Sequence, residues 1–173
     1  MVKNCAIFFD RDGILIKAPI DKNNKPKSIK QVNEIEFVEG IENICKYYKK
    51  NFYLIMITNQ PDVSRKVNTL ENVSNINNYI KKKLDLDDVF VCYCGDDNCF
   101  NRKPNPGMIL KAKKKYNLDL KKSYFIGDRW RDIEASSKAG CISILLNYNY
   151  NEIIKIKPDF MVLKLKETMD IIK

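Results

Sequence analysis

The chain has no histidine, one tryptophan, and only six glycines and six prolines in 173 residues. The first absence excludes any mechanism that uses a histidine base or a histidine nucleophile. Nothing in the sequence looks like an interdomain linker, an internal repeat or a low-complexity tract. No apolar run is long enough to span a bilayer. The N-terminus reaches Asp10 after a short apolar run without a cleavage-site pattern, so it reads as a strand and not as a signal peptide. The expectation is therefore a cytoplasmic protein without membrane contact, its six cysteines reduced. A hydrophobic fraction of 45% suits one globular domain with a real core over residues 1–173.

Acidic residues are also scarce: 22 against 31 basic ones, for a formal net charge of +9. Much of the excess lies in Lys81–Lys83 and Lys113–Lys115, inside helix-period segments, where solvated helix faces explain it. A positive field would still gather an anionic substrate. A nucleic-acid partner is not expected, because the chain has no room for a separate nucleic-acid-binding domain.

What is present is a regular alternation. Apolar runs at Asn4–Asp10, Phe52–Thr58, Asp88–Tyr93, Ser123–Gly127, Cys141–Leu146 and Asp159–Val162 read as strands. Between or after them, Gly40–Lys50, Thr69–Leu84, Pro106–Tyr116, Arg131–Ala139 and Lys166–Ile172 read as helices. Near-continuous apolar strands alternating with helices predict an α/β fold. It is a doubly wound, three-layer (αβα) Rossmann-like domain on a mainly parallel sheet. In such sheets ligands bind outside the carboxyl ends of the strands. The polar residues that look purposeful lie there: Asp10 and Asp12, then Thr58, Asn59 and Gln60, then Asp128 and Arg129. Arg102 and Lys103 follow the third strand after a loop.

Asp10 and Asp12 sit in FFDRDG, at the end of a buried strand and before a glycine turn. Alone, this could be a surface turn. Two carboxylates held that close cost free energy unless a cation or a reaction offsets it. Asp132 lies one helical turn beyond Asp128, so it could face the same site through water; a first-turn acid favoured by the helix dipole is the plainer alternative.

FFDRDG, TNQ, RKP and GDRWRD occur in the order and rough spacing of the haloacid dehalogenase superfamily of phosphohydrolases. From about Asn4 to Leu146 the chain resembles the branch that contains D-glycero-D-manno-heptose 1,7-bisphosphate 7-phosphatase and histidinol-phosphate phosphatase. The resemblance implies a Mg²⁺-dependent phosphomonoesterase with Asp10 as nucleophile and Asp12 as general acid, then base. It implies Mg²⁺ ligands in the Asp10 carboxylate, the Asp12 backbone carbonyl and Asp128, with Asp132 near them. Thr58 would bind the phosphate oxygens and Lys103 would neutralise developing charge. Asn59, Gln60, Arg102 and Arg129 match family positions at the substrate.

Two departures stand out. Many relatives carry a zinc loop before RKP; here it reads Cys92-Tyr-Cys94-Gly-Asp-Asp-Asn-Cys99-Phe-Asn101. Three thiolates remain, Asn101 replaces the last cysteine, and either a structural Zn²⁺ or a metal-free loop is open. No interval has room for a large cap domain, so Lys17–Ser28, Pro61–Val67 and the cysteine loop should shape an open site. Lys17, Lys22, Lys25 and Arg65 would be available there for a second anionic group.

The expected substrate is a small sugar phosphate, with heptose 1,7-bisphosphate first, histidinol phosphate or another small ester second, and a nucleic-acid end last. A non-catalytic binding protein would predict a damaged motif, and none is damaged. The expected oligomeric state is a monomer.

Overall fold

The computed structural model describes residues 3–173. Six strands form one sheet: β1 (Ala6–Phe9), β2 (Tyr53–Asn59), β3 (Asp88–Cys92), β4 (Tyr124–Gly127), β5 (Ile142–Leu146) and β6 (Phe160–Val162). All pair in parallel, in the order β3-β2-β1-β4-β5-β6. The expected strands are all present within two residues at each end. Every residue of β1 is buried, which is why this strand is apolar without alternation.

The helices are α1 (Ile41–Tyr48), α2 (Leu70–Lys83), α3 (Gly107–Tyr116), α4 (Trp130–Ala139) and α5 (Thr168–Ile171). Ile41, Ile44 and Tyr48 of α1 and Ile76 and Ile80 of α2 pack with Ile7, Phe9, Leu54 and Met56 on one face of the sheet. Met108, Ile109 and Ala112 of α3 and Ala135 of α4 pack with Ala6, Phe8, Ile55 and Ile57 on the other. Thr69 caps α2 by accepting from the Asn72 N–H at 3.1 Å. The last helix is shorter than the sequence predicts, a 3₁₀ turn at Leu165–Glu167 followed by four residues of α5. Only Thr168 of those four is buried, so little burial drives it further.

The chain leaves β1 toward β2 and β3, and returns across the sheet to β4. The crevice therefore opens where β1 and β4 lie side by side, with Phe9 paired to both Met56 and Ile126. Between β1 and α1 there is no folded cap. A small flap closes instead through the Ile20–Pro26 bridge and the Ile16–Phe37 bridge.

Candidate active site

Asp10, Asp12, Asn59, Lys103, Arg129, Arg131 and Asp132 line one cleft at this crevice, with Pro26, Lys27 and Ser28 from the flap. Its centre is Lys103, whose side chain is 3% exposed. The ammonium lies 2.8 Å from Asp10 Oδ1 and 2.6 Å from Asp132 Oδ1, and donates to the Ile57 carbonyl at 3.0 Å. Burial alone would pull the lysine pKa down, but the charges of Asp10 and Asp132 outweigh it and the pKa is raised.

Asp10 Oδ1 takes both Lys103 and the Arg11 N–H at 2.7 Å, leaving Oδ2 without a hydrogen bond or ion pair among the described residues. Burial raises this carboxyl to about 6; Lys103 opposes the rise and Asp132 and Asp12 add to it. Asp128 is also buried, and among the described residues neither of its oxygens has a hydrogen-bond partner. The Tyr150 hydroxyl stands near it without completing a bond. Desolvation, then the charges of Asp132 and Asp10, raise the Asp128 pKa well above the usual carboxylate range.

Ligand oxygens of Asp10, Asp128 and Asp132 lie within 4.8 Å of one another. Three acids packed so closely, two oxygens of them orphaned, are the donor set a hard cation such as Mg²⁺ prefers. The backbone is shaped to allow it. A Cβ at Gly13 (φ +96) would stand 2.0 Å from Asp128 Oδ2, and one at Gly127 would stand 2.2 Å from Asp132 Cβ. Asp132 is the exception within the trio, because Lys103 holds its Oδ1 and the Arg129 N–H donates to its Oδ2 at 3.0 Å. It caps α4 and faces the acids, and it is buried, not the exposed first-turn acid that its spacing also allowed.

Asp12 accepts from Arg11 Nη2 at 3.0 Å, Ser28 Oγ at 3.0 Å and Gln60 Nε2 at 3.0 Å. Gln60 also donates to Thr58 Oγ1 at 3.0 Å, and both residues are buried. The Asn59 amide pairs in both directions with the Lys103 backbone, at 2.9 and 3.0 Å. Asn59 and Gln60, expected at the substrate, thus tie the end of β2 to the groups beside it.

The two arginines expected at the substrate both have partners within the protein. Arg102 is buried beneath the cysteine loop, donating to Asp97 at 2.9 Å and to the Cys94 carbonyl at 3.1 Å, and does not line the cleft. Arg129 does line it, but its guanidinium is paired with Glu152 on both carboxylate oxygens. Nor do the four basic residues expected for a second anionic group line it. Lys17 pairs with Glu36, Arg65 with Asp62, and Lys22 and Lys25 do not line the cleft. Lys27 and Arg131 line it instead.

The cysteine loop does not gather into a metal cluster. The Cys92 and Cys99 sulfurs lie 3.8 Å apart, but Cys92, Cys94 and Cys99 are not among the ligand groups that close on one point. Hydrogen bonds order the loop instead, with Asn105 donating to the Asp97 and Cys99 carbonyls at 3.1 Å each. Zinc finds no support here.

Several participants were not foreseen. Arg11 is fully buried and also donates to Asn77 at 3.0 Å. After β5, the Tyr148 hydroxyl donates to the Gly13 carbonyl at 3.0 Å, and Glu152 holds Arg129. Only the alternation of FFDRDG hinted at Arg11; the segment after β5 has no periodicity to read.

Known proteins agree with this picture. The model of the family described as polynucleotide kinase 3 phosphatase matches residues 5–155. The chain is 33% identical over 150 residues to the D-glycero-alpha-D-manno-heptose-1,7-bisphosphate 7-phosphatase of Campylobacter jejuni, covering 84% of this chain and 83% of that one. It is 35% identical to the D-glycero-beta-D-manno-heptose-1,7-bisphosphate 7-phosphatase of Helicobacter pylori, over 80% of this chain and 81% of that one. The crystal structure of D,D-heptose 1.7-bisphosphate phosphatase from B. bronchiseptica, complexed with magnesium and phosphate, superposes with a TM-score of 0.70 at 28% identity, covering 82% and 79% of the two chains. With its motifs gathered at one crevice and these relatives beside it, the chain belongs to the polynucleotide kinase 3 phosphatase family, in the heptose bisphosphate branch of the haloacid dehalogenase phosphatases, and is a phosphoric monoester hydrolase.

Proposed function

We propose that this phosphatase hydrolyses a sugar bisphosphate, D-glycero-D-manno-heptose 1,7-bisphosphate, at its 7-phosphate. The observation that carries the reading is the buried Lys103 bridging Asp10 and Asp132 beside the unpartnered Asp128, in a chain whose relatives act on that sugar. Asp10, Asp128 and the Asp12 carbonyl would hold Mg²⁺, with Asp132 behind them. Bound there, the ion screens the repulsion between an anionic nucleophile and a phosphate dianion.

The chain's own groups do the rest. Asp10 Oδ2, free of protein partners, attacks phosphorus as the sugar oxygen leaves, forming an aspartyl-phosphate. Asp12 gives that oxygen its proton, then takes one from the water that attacks phosphorus and restores Asp10. Lys103 and Thr58 meet the charge on the phosphoryl oxygens. Arg11, Gln60 and Ser28 hold Asp12 in place between the two steps.

One further reading has its own support: the family's description and the net charge of +9 both suit a polynucleotide 3′ end. A panel of both anomers of the heptose bisphosphate, heptose 7-phosphate, histidinol phosphate and a 3′-phosphorylated oligonucleotide, with Mg²⁺ at saturation, separates them. The bisphosphate should show the highest kcat/KM, and EDTA should abolish turnover until Mg²⁺ is restored. Equal weak activity on every ester would defeat the sugar reading. Gly13→Ala should raise the Mg²⁺ concentration for half-maximal activity about tenfold, because its Cβ displaces the Asp128 carboxylate. A titration curve superposing on that of the wild type would show that Asp128 does not hold the ion.

We place the enzyme in the cytoplasm as a monomer acting through one domain, residues 1–173. All six cysteines are unpaired, and among the described residues no helix is long and apolar enough to cross a membrane. Light scattering checks the monomer.

A further inference from the structure

We propose that Tyr148 is a positioning residue for the cation: from just beyond β5 its hydroxyl tethers the Gly13 turn, and through that turn it fixes the Asp12 carbonyl and the seat of Asp128. The inference rests on the Mg²⁺ reading above and gives the segment after β5 a part in holding that site together.

The turn after Asp12 needs such a tether. Gly13 has φ +96, a backbone that favours glycine, and glycine is the residue that restrains its own backbone least. Its N–H donates to the Ile16 carbonyl at 2.7 Å, which orients the peptide whose oxygen is the Asp12 carbonyl. Its own carbonyl accepts from the Tyr148 hydroxyl at 3.0 Å. Both peptides that flank Gly13 are therefore held, one from within the turn and one from outside it. Between them the bare Cα lies so close to Asp128 that a Cβ there would stand 2.0 Å from Oδ2. A shift of Gly13 thus disturbs the Asp12 carbonyl and the Asp128 carboxylate together.

Tyr148 is well anchored for this part. Leu145 of β5 pairs with Gly127 of β4, the residue before Asp128, so the tether and the carboxylate rest on the same pair of strands. The Asn147 N–H donates to the Val162 carbonyl at 2.9 Å, which fixes the backbone just ahead of Tyr148. Just after it, the Asn149 carbonyl accepts from Asn24 Nδ2 at 2.9 Å, tying the segment to the flap. Tyr148 is 41% exposed, so without its hydroxyl water can satisfy the Gly13 carbonyl. Water replaces the hydrogen bond but not the link to β5. The hydroxyl therefore serves the placing of the site more than the fold.

Thermal melting of the substrate-free protein, in EDTA and over a Mg²⁺ series, separates these two roles. Mg²⁺ that binds only the folded chain raises the midpoint, and the concentration at which the rise begins tracks the dissociation constant. Tyr148→Phe should keep the wild-type midpoint in EDTA and need about tenfold more Mg²⁺ for the same rise, the usual cost of losing a group that orients a metal ligand. The Mg²⁺ concentration for half-maximal turnover should rise by the same factor. A Mg²⁺ series identical to that of the wild type overturns the proposal. A lower midpoint in EDTA with the Mg²⁺-dependent rise unchanged would give the hydroxyl to the fold and overturns it equally. A wild-type midpoint indifferent to Mg²⁺ would instead overturn the Mg²⁺ reading itself, and the tether with it.

Discussion

Asp10→Asn is expected to lower turnover by at least about 10⁴-fold while the protein keeps its fold. The substitution keeps the size and shape of the side chain. An amide oxygen at Oδ1 can still accept the Arg11 N–H, now at 2.7 Å. What it loses is the carboxylate that would attack phosphorus, and no neighbour can stand in. Asp12 is engaged with Arg11, Ser28 and Gln60, and Asp132 with Lys103 and the Arg129 N–H. Stability should not fall, because burial already holds Asp10 at about 6 and the variant removes one of several crowded negative charges. Lys103 keeps Asp132 at 2.6 Å. Two measurements decide: single-turnover reactions quenched in acid should show a phosphoryl adduct on the wild type and none on the variant, and thermal melting in EDTA should show no loss. Wild-type turnover in Asp10→Asn would end the nucleophile assignment, whatever the melting curve shows.

How much of this was legible beforehand depends on what physics each residue answers to. The strands were readable because β1, β2 and β4 are buried on both faces, which leaves an unbroken apolar run in the chain. Asp10, Asp12, Thr58, Lys103 and Asp128 were readable because strand ends deliver them to one crevice and because no packing argument explains like charges there. The partners of Arg102 and Arg129 were hidden for a definite reason. An arginine beside a motif looks like a substrate contact, but its use depends on which carboxylate folds against it. Asp97 and Glu152, five and 23 residues away, are ordinary acids in the sequence. The same holds for Arg131, whose neighbour in space is again Asp97. Of the three stretches expected to shape the site, only the flap supplies lining residues, Pro26, Lys27 and Ser28, and the register of its Ile20–Pro26 bridge follows from turn hydrogen bonds such as Asp21 N–H to Lys25 O.

Lys103→Met should cost about 3–5 kcal/mol of stability near neutral pH, the penalty for stranding buried charges without their partner. Methionine preserves the apolar stem, which passes the Phe125 ring with the ammonium 5.5 Å from its centroid, so the loss measures charge more than packing. With the ammonium gone, Asp10, Asp128 and Asp132 face one another in a dry crevice with no cation between them. Asp10 and Asp128, both already raised by burial, relieve this by taking up protons, and the sign of the pH dependence follows. Asp10 already sits at about 6 in the folded wild type, above the ordinary carboxylate value of 3.8, because burial outweighs the lowering by Lys103. A group raised on folding contributes stability at low pH and loses it as pH climbs through the folded pKa. Removing Lys103 raises Asp10 further and frees Asp132 from its partner, so the variant's deficit should grow from about pH 4 to pH 7. Lys103 itself, with its pKa raised, is charged throughout that window and adds no slope of its own. Denaturant unfolding of both proteins in EDTA across that range reads the difference directly. A deficit that stays constant with pH would mean that Lys103 supports the fold by packing alone, and that the crevice is not held together by the balance of one buried cation against three acids.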